Sequence, residues 1–262
     1  MRKGSPARFT RPQHVNIELV AVEYRNRDFP VHIHDQYVIG AIEKGAEILS
    51  LEGKRHEVGE GDLITISPGK AHSNCSLGDE VLRYRVFYIP PELVEAFTGR
   101  HGLSFKTPSR KDPSAAQRLL RLHRWFAREV GDRLEQESAT AEIIDIALEN
   151  AGWSDDKVQA SQNVGRAKRF IDNHYRESFG LDALAEIAGL TRSHLVRSFK
   201  NAHGLSPFAY RTQRRIHEAK RLLLEEAPLA EIAAELGFSD QSHLTRQFQS
   251  FVGISPARYR EQ

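Results

Sequence analysis

The sequence holds one cysteine, Cys75, and one methionine, Met1, among 262 residues. A lone cysteine excludes an internal disulfide and suits a reducing compartment. No run of about 18 apolar residues occurs, so no transmembrane helix is expected. The N-terminal stretch MRKGSPARFTRPQHVNIELV has basic residues but no apolar segment long enough for a signal peptide. The expected location is therefore cytoplasmic. Strong net charge is also missing: the balance is +2, with 27% charged and 40% apolar residues. That is an ordinary globular composition, and the length suits two domains. The small excess is uneven, because from Val164 onward there are 15 Lys+Arg against 11 Asp+Glu.

What is present is a repeat. In Glu231–Arg260, EIAAELGFSDQSHLTRQFQSFVGISPARYR, the pattern predicts a helix over Glu231–Leu236. The turn Gly237-Phe238-Ser239 follows, and then a helix from about Asp240 to Phe251. Gly237 suits a left-handed turn position, and Ser239 is the expected N-cap. Ile232, Ala233, Leu236, Leu244 and Phe248 form an apolar set that packs two helices across a short turn, a helix-turn-helix. Leu181–Arg211 repeats the pattern: Ser193-His194-Leu195, Arg197, Phe199, Gly204, Ser206-Pro207 and Tyr210-Arg211 match Ser242-His243-Leu244, Arg246, Phe248, Gly253, Ser255-Pro256 and Tyr259-Arg260. The second copy has one extra residue in its turn, and two tandem units are expected. Between them, Phe208–Glu226 predicts a helix of roughly 28 Å. That length holds two recognition helices near one turn of DNA apart, about 34 Å.

This C-terminal region, about Val164–Gln262, resembles the DNA-binding domain of AraC/XylS-type transcriptional regulators. The carriers are GFSDQSHLTRQFQSFVGISPARYR: the turn glycine, the aromatic after it, the recognition-helix Phe and the closing G-x-S-P-x-x-Y-R. The resemblance implies a regulator that binds double-stranded DNA. It is often an activator, with RNA polymerase then a partner, and often controlled by a small-molecule effector in an N-terminal domain. By position it assigns base-reading to Arg192, Ser193, Val196 and Arg197 in the first unit, and to Gln241, Ser242, Thr245 and Arg246 in the second. Arginine pairs with guanine, glutamine with adenine, and a threonine methyl with thymine. Val196 departs from the polar residues often found there, so the first unit is expected to discriminate less. Arg214, Arg215, Lys220 and Arg221 on the connecting helix read as phosphate contacts or solvated charge.

The N-terminal half reads differently. Met1–Gln13 is expected to be a mobile arm. Short strands follow over 16–24, 32–42, 47–51, 56–58, 63–66 and 81–89, separated by Gly/Pro turns, the pattern of a β-barrel or jelly roll. PVHIHDQYVIGAIEKG and GEGDLITISPGKAHS are similar to the cupin-like sensor domain of the same regulators. Two amphipathic helices, Ser114–Val130 and Gln136–Ala151, come next; the resemblance implies that they pack on the barrel and form a homodimer interface. The expected fold class is α+β: a cupin-like barrel with flanking helices, then an all-α domain of two helix-turn-helix units. The expected boundaries are 1–151 for the effector-binding and dimerisation domain, 152–163 for a linker and 164–262 for the DNA-binding domain.

His32 and His34 alternate on an expected strand, and His72 follows Pro68-Gly69 by three residues, where cupin enzymes place a metal histidine. These three are the candidate effector-binding residues. Metal ligation and a structural role stand as alternatives, since Val38 and Ile39 occupy the positions where metallocupins carry a glutamate. Neither a cofactor nor catalytic residues are assigned. Arg83 and Arg85 share a strand face, but Leu82, Tyr84, Val86 and Tyr88 make the better core face, which leaves the arginines outside. A metal-dependent cupin enzyme fused to a DNA-binding module is the alternative function, and an architectural DNA protein a third.

Overall fold

A computed structural model describes residues 7–128, 131–153 and 162–262. The chain divides into two compact units, an N-terminal strand-rich one and a C-terminal helical one, and each is described by itself.

The N-terminal unit is built from β1 (Ala7–Thr10), β2 (Glu18–Tyr24), β3 (Asp28–His32), β4 (Tyr37–Lys44), β5 (Ala46–Leu51), β6 (Lys54–Gly59), β7 (Asp62–Ile66), β8 (His72–Ser76) and β9 (Leu82–Ile89). After these come α1 (Pro91–Thr98), β10 (Leu103–Phe105), β11 (Ser109–Lys111), α2 (Pro113–Phe126), α3 (Arg133–Leu148) and β12 (Ala151–Trp153). A six-stranded sheet runs β1-β2-β9-β4-β7-β11, and a four-stranded sheet runs β3-β8-β5-β6. The β5–β6 hairpin turns on Glu52 and Gly53, both at positive φ, which matches the twist of the flanking strands.

Strand alternation gives the large sheet two apolar faces. Leu19, Ile39, Ala41, Leu63, Phe87 and Ile89 belong to one cluster with Leu119, Phe126, Ile143 and Ile144 of α2 and α3. The opposite-parity residues, among them Val20, Val22, Tyr24, Val38, Tyr84, Val86 and Tyr88, line the interior face of the barrel. The α2 helix starts on a Pro after the N-cap Asp112, and α3 on a capping box of Asp132 and Glu135.

Two expectations for this half are corrected. Residues 7–10 of the expected arm are a strand paired with β2, because Ala7, Phe9 and Thr10 have buried positions there. The segment 32–42 is not one strand: the chain leaves β3 at His32, turns, and re-enters as β4 at Tyr37. Arg83 and Arg85 do lie off the core face, but in ion pairs with Glu23 (2.7 Å) and Glu43 (2.8 Å). Arg124 of α2 joins Glu43 at 2.5 Å.

The C-terminal unit comprises α4 (Gln162–His174), α5 (Leu181–Ala188), α6 (Arg192–His203), α7 (Pro207–Leu224), α8 (Leu229–Glu235), α9 (Gln241–Val252) and α10 (Pro256–Arg260). The 18-residue α7 touches α4, α6, α8, α9 and α10, so it is the rod on which both helix pairs are mounted. Residues 154–161 of the expected linker lie outside the described residues.

Candidate functional site

The two helix-turn-helix units are the same construction twice. Leu195 and Phe199 of α6, and Leu244 and Phe248 of α9, are all fully buried. Phe199 meets Tyr210 edge-on at 5.6 Å and 70°, and Phe248 meets Tyr259 at 5.4 Å and 70°. The recognition helices end on Gly204 and Gly253, both left-handed, and the next helices begin with Ser206-Pro207 and Ser255-Pro256, each serine accepting a backbone N–H. The arginine closing each motif has one job in both: Arg211 donates to Phe179 O, and Arg260 donates to Ala227 O, each carbonyl two residues before its helix pair starts. The repeated Tyr-Arg is therefore scaffold.

Differences lie at the turns and on the outer faces. Helix α6 is capped by Thr191, and α9 by Asp240, which accepts from His243 N at 2.6 Å. The expected cap Ser239 is displaced by the extra turn residue; its hydroxyl meets Asp240 and the His243 ring instead. Gly237 has φ 70°, and a Cβ there would lie 2.5 Å from Arg176 O and 2.8 Å from the Arg215 guanidinium. Arg215 itself is 8% exposed. It donates to Tyr175 O (2.6 Å), Gly237 O (2.5 Å) and Glu177 O (3.1 Å). Burial lowers its pKa to about 10, which still leaves it charged near neutral pH.

The reading of the connecting-helix cations as phosphate contacts or solvated charge is thus overturned for Arg215, which ties α7 to two loops. Its neighbours are engaged as well: Arg214 with Asp172, Arg221 with Glu218 and Glu225, and Lys220 over the Tyr259 ring. The i, i+4 spacing to acids was the available signal for Arg221; nothing in spacing marks Arg215.

Of the candidate readers, Arg197, Gln241, Ser242 and Arg246 are exposed, and Val196 and Thr245 partly so. Thr245 donates its hydroxyl to Gln241 O at 2.9 Å, leaving its methyl as the reading group. Arg192 is ion-paired with Asp182 across the turn from α5. The side chain of Ser193 lies outside the described residues.

The second candidate site is a set of three histidines. His32, His34 and His72 come together, with one ring nitrogen from each within 4.8 Å of the others. Further along β8, Asn74 donates to Glu47 at 2.9 Å and to the Tyr24 hydroxyl at 3.3 Å. Tyr84 packs edge-on against Tyr24 at 6.2 Å. Glu47 is 2% exposed, and burial pushes its pKa up to about 7, with the Asn74 bond working the other way. Burial likewise raises the Tyr24, Tyr84 and Tyr88 phenols. Glu47 was not among the residues singled out from the sequence. The period-2 pattern that buries Leu49 also sends Glu47 inward, and that was the signal.

Comparison with known proteins fits both halves. Residues 14–144 match the family described as an AraC-like ligand binding domain, and residues 184–262 the one described as a helix-turn-helix domain. The HTH-type transcriptional regulator YbfI of Bacillus subtilis is 31% identical over 86% of this chain and 85% of its own length. The chain belongs to the AraC family of transcriptional regulators. The transcriptional activator RhaS of Escherichia coli is 24% identical over 84% of each chain. Among solved structures, ToxT of Vibrio cholerae superposes with a TM-score of 0.64 at 14% identity, covering 96% of this chain and 99% of that one. That likeness supports the fold: a strand-rich cupin-like domain and a helical DNA-binding domain. As a member of this AraC family the chain is a regulator and not an enzyme, so the fused-enzyme alternative falls. Among the described residues no helix is long and apolar enough to cross a membrane.

Proposed function

We propose that this AraC-family regulator reads two successive major-groove segments of one operator with α6 and α9, under the control of a small molecule held in the barrel. The observation that carries the reading is the doubled scaffold. The two units share the buried Leu and Phe, the Gly that ends the recognition helix and the Ser-Pro that starts the next, yet differ on the outer face at Arg192 against Gln241 and Val196 against Thr245, as expected if each reads its own bases. Arg192, Ser193, Val196 and Arg197 serve the first segment, and Gln241, Ser242, Thr245 and Arg246 the second. The pairing of Arg192 with Asp182 makes it the weakest of the eight, since base contact has to replace an ion pair.

The effector occupies the lumen between His32, His34 and His72 at one end and Glu47, Asn74 and Tyr24 farther in. A structure of ToxT holds an unsaturated fatty acid, which supports ligand control in a fold of this kind. Domains run 1–151, 152–163 and 164–262. The protein acts in the cytoplasm as a homodimer and, like the activator RhaS, raises transcription, which makes RNA polymerase a partner. Effector control works by shifting the population able to place both units on DNA. Genome-wide mapping of bound sites followed by footprinting tests this. A sharp footprint with two protected major-groove segments is expected; diffuse, sequence-independent protection overturns it.

A further inference from the structure

Glu47 is an enclosed carboxylate with no cation beside it among the described residues. It stands on β5, and the side chains around it come from both sheets: Tyr24 of β2 and Tyr84 of β9 from the larger, Asn74 of β8 from the smaller. Asn74 Nδ2 lies 2.9 Å from Glu47 Oε2 and 3.3 Å from the Tyr24 hydroxyl, so one amide bridges the sheets. Among the described residues Asn74 is the one hydrogen-bond donor to this carboxylate, which leaves Glu47 Oε1 its lone pairs. Other acids of this unit are neutralised: Glu18 is paired with Arg11, and Glu43 with Arg85 and Arg124. Tyr24 meets Phe29 and Tyr84 edge-on at 5.5 and 6.2 Å, which sets aromatic rings beside the acid. The Glu47 charge adds to burial in raising both phenols. Asn74 and Tyr84 are only partly buried although they stand between the sheets, so solvent reaches the cluster.

We propose that this cluster binds the ammonium group of an amine effector, with Glu47 as its counter-charge. The inference rests on the reading of the barrel as the effector site and names the chemical class of that effector. A carboxylate withdrawn from water without a cation is costly, and a ligand that brings the cation removes the cost. An ammonium offers N–H donors to Oε1 and positive charge to the tyrosine rings. An anionic ligand would be repelled by Glu47, and a neutral hydroxyl would leave the charge unmatched. Asn74, engaged with Glu47 and Tyr24, is a positioning residue that fixes the carboxylate. Burial pushes the Glu47 pKa up to about 7, and an ammonium beside it should lower that value again. Arg27 and Cys75 act on Tyr24, whereas Glu47 is shifted by burial and by Asn74. Both phenols stay neutral near pH 7, so Glu47 is the group that titrates.

The test titrates the full-length chain by calorimetry with n-butylammonium and benzylammonium, and with 1-butanol and butyrate as the neutral and anionic counterparts. At least one ammonium should bind at one per chain, with Kd of about 1 mM or tighter, and at least about tenfold more tightly than 1-butanol or butyrate. Its affinity should rise about tenfold from pH 6 to pH 8, as Glu47 ionises and the probe stays charged. Glu47→Gln should weaken binding at least about tenfold and abolish that pH dependence, while Glu52→Gln, at an exposed acid, should leave both unchanged. No saturable binding of either ammonium, equal binding of 1-butanol, or unchanged affinity in Glu47→Gln would overturn the proposal. The pH dependence of the unsubstituted chain decides the matter even where the variant fails to fold. A negative result removes the amine alone, because the effector reading is tested separately through DNA binding.

Discussion

The two halves of the molecule bury polar groups for opposite reasons. In the helical half, Arg215 donates to the carbonyls of Tyr175, Glu177 and Gly237, and its burial holds loops together. In the barrel half, Glu47 and His72 are just as buried, at 2% and 4% exposure, on β5 and β8. Buried polarity in the first case is scaffold. In the second, burial of the Glu47 carboxylate costs stability, and we propose that it is retained for the effector.

The comparison predicts stability changes of opposite sign. Arg215→Ala strands several buried carbonyls and should destabilise the helical unit by about 3–5 kcal/mol, read by urea denaturation; a loss under about 1 kcal/mol would mean that water replaces the guanidinium. Glu47→Gln should instead stabilise the ligand-free protein. The Glu47 pKa is raised in the folded state from 4.5 to about 7, so its contribution is fully present below about pH 4.5 and is lost as pH rises through 7. The glutamine variant should therefore gain roughly 2–3 kcal/mol over the native chain at pH 8 and almost nothing at pH 4. Equal gains at both values would break the contrast.

A smaller effect sharpens the picture within the helical half. Gly237→Ala meets Arg176 O at 2.5 Å, whereas at Gly189 the nearest atom is the end of the Arg166 side chain at 3.4 Å, with φ positive at both. The first should cost about 2–3 kcal/mol and the second about 1 kcal/mol, compared by calorimetric Tm. Equal costs would show that left-handed strain alone, and not the Arg215 clamp behind Gly237, sets the requirement.

Much of this was legible in the sequence because repetition is a strong signal. An ordered match from Ser193 to Arg211 against Ser242 to Arg260 fixes two helices, a turn and their core without coordinates. The alternation of Leu82, Tyr84, Val86 and Tyr88 likewise announced the interior face of the barrel. What stayed hidden depends on contacts distant in sequence. Arg215 looked like its neighbours Arg214 and Arg221 because its carbonyl partners come from Tyr175, Glu177 and Gly237. The edge strands β1, β10, β11 and β12 are three or four residues long, too short for periodicity to show. The expected cap Ser239 lost to Asp240 because one inserted residue moved the helix start by a single position.

The central claim is that α6 and α9, mounted on one rod, read bases about one helical turn apart. Binding of Arg197→Ala and Arg246→Ala to an operator library substituted at every base pair tests it most directly. The account predicts that each variant loses about 1–3 kcal/mol on the cognate site and becomes indifferent to one base pair, the two positions lying about 10 base pairs apart. A uniform loss across all sequences, or relaxation of the same base pair by both variants, would contradict it.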